Sequence, residues 1–353
     1  MHKLWNNESP VLVEDLQYIS SDSVIPWNKL DGKKILITGA TGLIGSLLVK
    51  ALLYAAESKN LNLTVMAFVR NIAKAERVFK AELELKNTLL QFVENDVCST
   101  FCSDLHADYI IHTASPTASI DFVEKPVDTI LTTFCGTWNL LELAKECGCQ
   151  GFVYLSSMEI YGKLAHENAS EDDSGYINPL VIRNSYPQAK RIAESLCAAY
   201  ASQYGVQANI VRLTLTFGPG VSQDDNRVFM QFARSIKNGK DIVLHTQGRT
   251  KRDYLYTADA VRGILSVLLL GNKGEAYNLS NPDTYISIYD MAQLCASLSH
   301  KKINVTFECS PEKQNIYSPD LKINLDINKI NELNKFEKIP LKIMFERMLE
   351  YME

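Results

Sequence analysis

The sequence predicts an α/β protein, a doubly wound parallel sheet with a smaller C-terminal lobe. Short apolar runs alternate with helical patterns from Lys33 onward, the arrangement of a parallel sheet covered on both faces. The first run leads straight into a glycine-rich turn that opens a helix. The length of 353 residues is too great for one average domain and suits one large α/β domain plus a lobe.

Residues 1–31 read as an N-terminal arm, in which Trp5, Val11, Leu12, Val13, Leu16 and Tyr18 offer apolar contact to the body. Lys33 to Thr38 reads as a buried strand, Leu43 to Ala56 as a helix and Leu63 to Val69 as a second strand. Phe92-Val93, Tyr109 to His112 and Phe152 to Ser156 continue the strands, with helices expected over Pro126 to Glu146 and Pro187 to Tyr204. Residues 32–218 are thus expected to form the nucleotide-binding domain. After Pro219, helical segments at Phe229–Asn238, Ala258–Leu269 and Ile288–Leu298 alternate with short strands at Asp241–Leu244 and Ala276–Leu279. Residues 219–353 read as mainly the substrate-binding lobe, interleaved with the last strands of the sheet.

Composition removes several function classes. With 46% hydrophobic and 22% charged residues the chain can fill a core, which excludes disorder as its main state. Its 36 Lys+Arg against 41 Asp+Glu give a net charge of −5, which argues against coating nucleic acid. No run of about 18 apolar residues is present, so no membrane span is expected. The first residues are polar and acidic where a signal peptide needs an apolar stretch, so a cytoplasmic protein is expected. The eight cysteines, at 98, 102, 135, 147, 149, 197, 295 and 309, read as reduced thiols. Cys147 and Cys149 are too close for joint ligation and no partner pair follows, so no metal is expected.

The turn is Gly39-Ala40-Thr41-Gly42-Leu43-Ile44-Gly45. Gly39 allows the tight turn, Gly42 lets the backbone approach a pyrophosphate, and Gly45 lets helix and strand pack closely. The helix N-terminus turns its unsatisfied N–H groups to the phosphates. With a strand before it and a helix after it, the turn is expected to hold a dinucleotide rather than to be an ordinary glycine-rich turn. The second strand ends in Arg70-Asn71 with no acid for a ribose 2′-hydroxyl, so Arg70 leans toward NADP or stacks on adenine. Asp96 is placed for the adenine edge or serves its own turn.

Tyr186 and Lys190 lie four residues apart on one helix face. A phenol ordinarily titrates near ~10, and a neighbouring cation favours its ionised form, which can take a proton from a substrate alcohol. Ser157, at the end of the preceding strand, is placed to bond the same substrate oxygen. Glu159 follows Ser157 by two and is expected on the same side of that strand. His112 closes a strand with no acid beside it and reads as structural.

Gly39-x-x-Gly42-x-x-Gly45, Ser157, Tyr186-x-x-x-Lys190 and Arg212 with Phe217-Gly218-Pro219 together resemble the extended short-chain dehydrogenase/reductase family of nucleotide-sugar epimerases, dehydratases and decarboxylases. Within it, His112-Thr-Ala-Ser-Pro116, Ser157-Met-Glu159, Asn178-Pro179 with Arg183, Arg227-Val228 and Arg252 look most like UDP-glucuronate decarboxylases. The resemblance implies a retained NAD, a nucleotide-sugar substrate and a homodimer built on a helix bundle. It implies a cofactor site of Gly39, Thr41, Gly42, Leu43, Ile44, Gly45, Arg70, Asn71, Asp96, Val97, Thr113, Ala114 and Ser115, completed by Tyr186 and Lys190. It implies substrate contacts from Ser115, Pro116, Ser157, Met158, Glu159, Arg183, Arg227 and Arg252. A cycle that regenerates its own cofactor favours NAD, with NADP the alternative that Arg70 raises.

The departures bear on the reaction. Met158 stands where decarboxylases have Ser and dehydratases often have Asp; Leu215 replaces an Asn near the nucleotide phosphates, Gly220 an Arg, and Thr133 a structural Asn. An epimerase that works beside the ketone through Glu159 tolerates the loss of both the Asp and the Ser at Met158. The expected function is therefore epimerase/dehydratase chemistry on a nucleotide-activated sugar. Decarboxylation of a UDP-glucuronate-type substrate and epimerisation of an activated polyol are the alternatives. Of a different class, a non-catalytic ligand sensor would be expected to have lost Tyr186 or Lys190; both are present.

Overall fold

The computed structural model describes residue 5 and residues 8–84, 89–101, 104–308 and 321–352. Cys102 and Cys309 lie outside the described residues; the other six cysteines are free thiols. The N-terminal arm forms helix α1 (Pro10–Ser20), begun by proline and buried through Val11, Leu12, Leu16 and Ile19. Strand β1 (Lys34–Thr38) enters the glycine turn, and helix α2 (Leu43–Lys59) leaves it. Strand β2 (Thr64–Val69) leads to helices α3 (Ile72–Val78) and α4 (Lys80–Glu84), then strands β3 (Leu90–Glu94) and β4 (Tyr109–His112). Helices α5 (Asp121–Glu124) and α6 (Pro126–Cys147) precede strand β5 (Gly151–Ser157). The two-residue strand β6 (Asn168–Ala169), helix α7 (Ser185–Tyr204) and strands β7 (Ala208–Leu213) and β8 (Leu215–Phe217) follow. The remainder is α8 (Val228–Asn238), β9 (Ile242–Leu244), β10 (Lys251–Tyr256), α9 (Thr257–Leu270), β11 (Ala276–Leu279), β12 (Asn281–Ser287), α10 (Ile288–Ser297), β13 (Val305–Phe307), β14 (Lys322–Leu325), α11 (Asn328–Leu333) and α12 (Leu341–Tyr351).

Seven parallel strands make the central sheet in the order β11-β7-β5-β4-β1-β2-β3. The strand order reverses between β1 and β4, which opens a crevice at their carboxyl ends. Helices cover both faces, so the inner strands are largely apolar, with polar residues such as Ser157, His112 and Arg212 toward their carboxyl ends. A second sheet, β12-β10-β14-β6 with β8 on β10, and the pair β13-β9 build out the region beyond the crevice. Among the described residues no helix is long and apolar enough to cross a membrane.

The arm packs as its apolar residues require, with Trp5 and Leu16 buried, but polar groups fix its register. Tyr256 Oη donates to Asp15 at 2.7 Å, and Arg347 on α12 pairs with the same carboxylate at 2.9 Å. Asp22 pairs with Arg262 at 2.7 Å. Tyr18 Oη donates to Asp259 Oδ1 at 2.8 Å, and the Ile339 N–H donates to Oδ2 at 2.8 Å.

Asp259 is fully buried and, among the described residues, has no cation within 4.0 Å, so burial pushes its carboxyl up to about 6. A carboxyl raised above its unfolded value binds an extra proton in the fold below that pH. Its stabilising contribution is present at low pH and lost as pH rises through 6. Relative to Asp259→Asn, the wild type should gain roughly 2 °C in Tm between pH 7.5 and 5.5, read by thermal melts at matched ionic strength. A Tm difference that stays flat across this range contradicts the assignment.

Candidate active site

The glycines of the turn serve different ends. Gly39 has φ +62°, and a Cβ there would lie 2.6 Å from Thr113 Oγ1 and 2.9 Å from Ala114 N. At Gly45 a Cβ would lie 2.2 Å from Gly39 O. The protein's own packing therefore demands glycine at both. Gly42 is different: its backbone is extended, and a Cβ would meet only Gly39 O, at 3.2 Å. No side chain caps α2 at this end, which leaves its first N–H groups for a ligand. The turn has the open face and free donors that a pyrophosphate requires, so these residues fit a dinucleotide. A cavity of about 620 Å³ opens beside it, lined in part by Thr41, Gly42, Leu43, Lys50, Arg77 and Gly220.

The ends of β1 and β4 are tied together under this turn. Thr38 Oγ1 lies 2.8 Å from His112 Nδ1 and accepts the Ala114 N–H at 3.2 Å, and Thr113 Oγ1 donates to Thr38 O at 2.6 Å. His112 is buried, which pulls its imidazole down to about 3, with the Lys190 charge acting in the same direction. It is neutral and structural. Asp96 Oδ1 accepts the Cys98 N–H at 2.8 Å and so holds its own turn. Val97 packs on α6 where Gly136 leaves room. Asn71 caps α3 by accepting the Lys74 N–H at 2.8 Å. Arg70 extends into solvent, its side chain 75% exposed and 3.9 Å from Asp96. Ile44 packs at the edge of the core, and Ser115 Oγ donates to Pro116 O at 3.3 Å.

Helix α7 sets Tyr186 and Lys190 one turn apart against the carboxyl end of β5. Tyr186 is buried, and this pushes its phenol well up; the Glu159 charge adds to the shift, while Ser157 and Arg183 oppose it. Lys190 donates to Leu155 O at 2.6 Å and lies 5.7 Å from the centre of the Tyr186 ring. Glu194, one turn further, is taken by Arg212 at 2.8 Å, so burial pulls the Lys190 ammonium down to about 7. At neutral pH the unliganded pair therefore keeps its phenol protonated, with only part of the lysine charged.

Beyond Ser157 the strand gives way to a tight 3₁₀ turn, Met158–Tyr161, and Ser157 Oγ accepts the Glu159 N–H at 3.2 Å. Alternation along a strand therefore does not place Glu159. Arg183 does, through two bonds of 2.6 and 3.2 Å to its carboxylate. Met158 is buried with its Sδ 3.3 Å from Thr214 Oγ1. Arg227 is paired with Asp225 at 2.6 Å and stands over Phe229. Arg252 Nε is buried with no hydrogen-bond partner among the described residues. Phe122 on α5 stacks on Tyr186, a neighbour that sequence spacing gave no sign of.

The chain is similar to several known proteins. UDP-glucuronic acid decarboxylase 1 of Danio rerio is 30% identical over 322 residues, 91% of this chain and 73% of that one. UDP-glucuronic acid decarboxylase 3 of Arabidopsis thaliana is 30% identical over 82% of this chain and 81% of its own. The crystal structure of UDP-glucuronic acid 4-epimerase from Bacillus cereus, in complex with NAD, superposes with a TM-score of 0.72 at 26% identity, covering 90% of this chain and 96% of that one. The profile of the NAD dependent epimerase/dehydratase family matches residues 35–280. By this profile and these relatives, and with the glycine turn, the buried Tyr186–Lys190 pair and Ser157 all present, the chain belongs to the NAD dependent epimerase/dehydratase family.

Proposed function

We propose that this enzyme remodels the sugar of a nucleotide-activated sugar through a transient ketone, as an epimerase or dehydratase. The observation that carries this reading is the grouping of Ser157, Tyr186 and Lys190 at the end of β5, with the Glu159 carboxylate held by Arg183. The Gly39–Gly45 turn would hold NAD, which would supply reversible hydride acceptance with no net consumption over the cycle. Once ionised by the positive charge that a bound NAD would bring beside it, the Tyr186 oxygen takes the proton of the sugar hydroxyl being oxidised and later returns one. Ser157 orients that hydroxyl, and Lys190 supplies positive charge beneath the phenol. A ketone acidifies the neighbouring C–H, and the Glu159 carboxylate removes that proton. Return of the proton to the opposite face inverts the carbon; departure of a hydroxyl from the next carbon is dehydration.

The relatives named for UDP-glucuronic acid support a UDP-linked hexuronate as substrate. We assign the half-buried Arg252 of β10, whose Nε is buried without a hydrogen-bond partner among the described residues, to an anionic group of that substrate, and the lobe beyond Pro219 to its nucleotide end. Decarboxylation is the second reading, favoured by the decarboxylases at 30% identity. The six free cysteines accord with a cytoplasmic location.

A homodimer through α6 and α7 is supported by the apolar residues they leave exposed: Val127, Ile130, Leu131 and Trp138 on α6, Ile192 and Tyr204 on α7. Trp138→Glu with Ile192→Glu should convert the dimer to monomer in sedimentation at unchanged helix content. A wild type that sediments as a monomer removes the proposal.

Binding and chemistry are tested separately. Gly42→Val should remove bound NAD while Tm stays within a few degrees, because only the ligand's space is filled; unchanged NAD content would displace the site from this turn. NAD-loaded protein given UDP-glucuronic acid in heavy water should place deuterium beside the oxidised carbon, as seen by NMR. Released carbon dioxide marks the decarboxylase reading. Glu159→Gln should stop exchange and product formation yet still allow partial reduction of the bound cofactor. Tyr186→Phe should lower kcat by about 10²–10⁴-fold with little change in substrate binding. Normal turnover by Glu159→Gln, or a wild type that incorporates no deuterium, leaves a simple 4-epimerase cycle without a carboxylate base.

A further inference from the structure

Phe122 is 2% exposed, although Ile120 and Val123 beside it are 58% and 50% exposed. A helix of four residues thus turns one aromatic ring inward and leaves its other apolar side chain, Val123, and the preceding Ile120 in solvent. The Phe122 ring lies parallel to that of Tyr186, with centroids 4.2 Å apart and 8° between the planes. Arg183 stands over the Phe122 ring, its Cζ 5.2 Å from the centroid, while its guanidinium grips Glu159. The main chain joins the same elements, since Ser185 Oγ donates to Phe122 O at 2.9 Å.

We propose that Phe122 is a positioning residue for Tyr186: a flat cover that fixes the plane of the phenol, keeps water off one face, and aligns Arg183 with Glu159. The proposal rests on the reading that Tyr186 transfers the proton. A phenol held only at its oxygen end can still turn about its side-chain bonds. A flat ring stacked on it, with Ser157 near its oxygen, selects one orientation. The same ring displaces water that would otherwise solvate the phenol. The cation over Phe122 ties the cover to the carboxylate that works beside the ketone, so both proton-transfer groups share one support. An aliphatic side chain of similar volume fills the space but offers no flat face; tyrosine restores that face.

The test uses NAD-loaded protein with ¹³C at tyrosine Cζ, the Tyr186 resonance being identified by its loss in Tyr186→Phe. Phe122→Leu should bring the Tyr186 titration down by about one pH unit, because water reaches the phenol. It should lower kcat on UDP-glucuronic acid about tenfold with KM within about twofold, since the loss falls on orientation and not on binding. Phe122→Tyr should restore both readings, and Val123→Ala should change neither. Phe122→Met carries the same test if Phe122→Leu does not fold. An unmoved Tyr186 titration in the folded variant overturns the proposal. A titration that moves, in a protein whose wild type does not act on UDP-glucuronic acid, upholds the positioning role and removes the substrate reading alone.

Discussion

Taking the Tyr186 phenol and the Lys190 ammonium out of water is the constraint that the surrounding elements answer. Burial disfavours the charged form of each group, and its cost is met only by partners supplied from several elements. β5 provides the Leu155 carbonyl for Lys190, and the Tyr154 ring lies 4.7 Å from the ammonium. α5 provides the ring over Tyr186. β7 provides Arg212, which engages Glu194 and so leaves Lys190 without a carboxylate of its own. The result is a pair with little net charge at rest, whose balance shifts when a ligand brings charge into the crevice.

The parts of this site that are local in sequence are legible in it. The glycine turn and the Tyr–Lys spacing each need only a strand or helix to become geometry, and the central strands announce themselves as apolar runs, except β7, which Asn209 and Arg212 interrupt. What the sequence hides is set by distance along the chain. β10 and β12 do not stand out as apolar runs because their polar residues, among them Arg252, Asp253 and Thr284, look like loop until the second sheet pairs them. The placement of Glu159 depends on Arg183, 24 residues away, and on a tight turn that breaks strand alternation. The arm's apolar face could be read, but Asp15 finds its guanidinium 332 residues further on, which no local pattern encodes.

Candidate ligand groups also sort themselves once side chains are placed. Arg227 and Asp96 already have partners within their own loops, whereas Arg252 keeps a buried donor without one. An unpaired buried donor is costly in the empty protein, and a ligand that satisfies it recovers that cost on binding. The contrast makes Arg252 more informative than arginines of similar motif standing, although sequence alone ranks them together. Met158 follows the same logic in reverse: its sulfur lies against Thr214 in the core and presents no hydroxyl to the crevice.

The seat of α1 also bears on how the chain is made. Synthesis delivers α1 long before α12, and domains take shape as they emerge from the ribosome. Until Arg347 appears, Asp15 has no cation to justify its burial, and the apolar face of Leu12, Leu16 and Ile19 has no complete cover. The central sheet can assemble in the meantime, since its last strand, β11, precedes α12 by many residues. α2 and α9, on which α1 mainly rests, are made before α12, so the Asp15–Arg347 pair is the last part of its seat to form, after translation has passed the sheet.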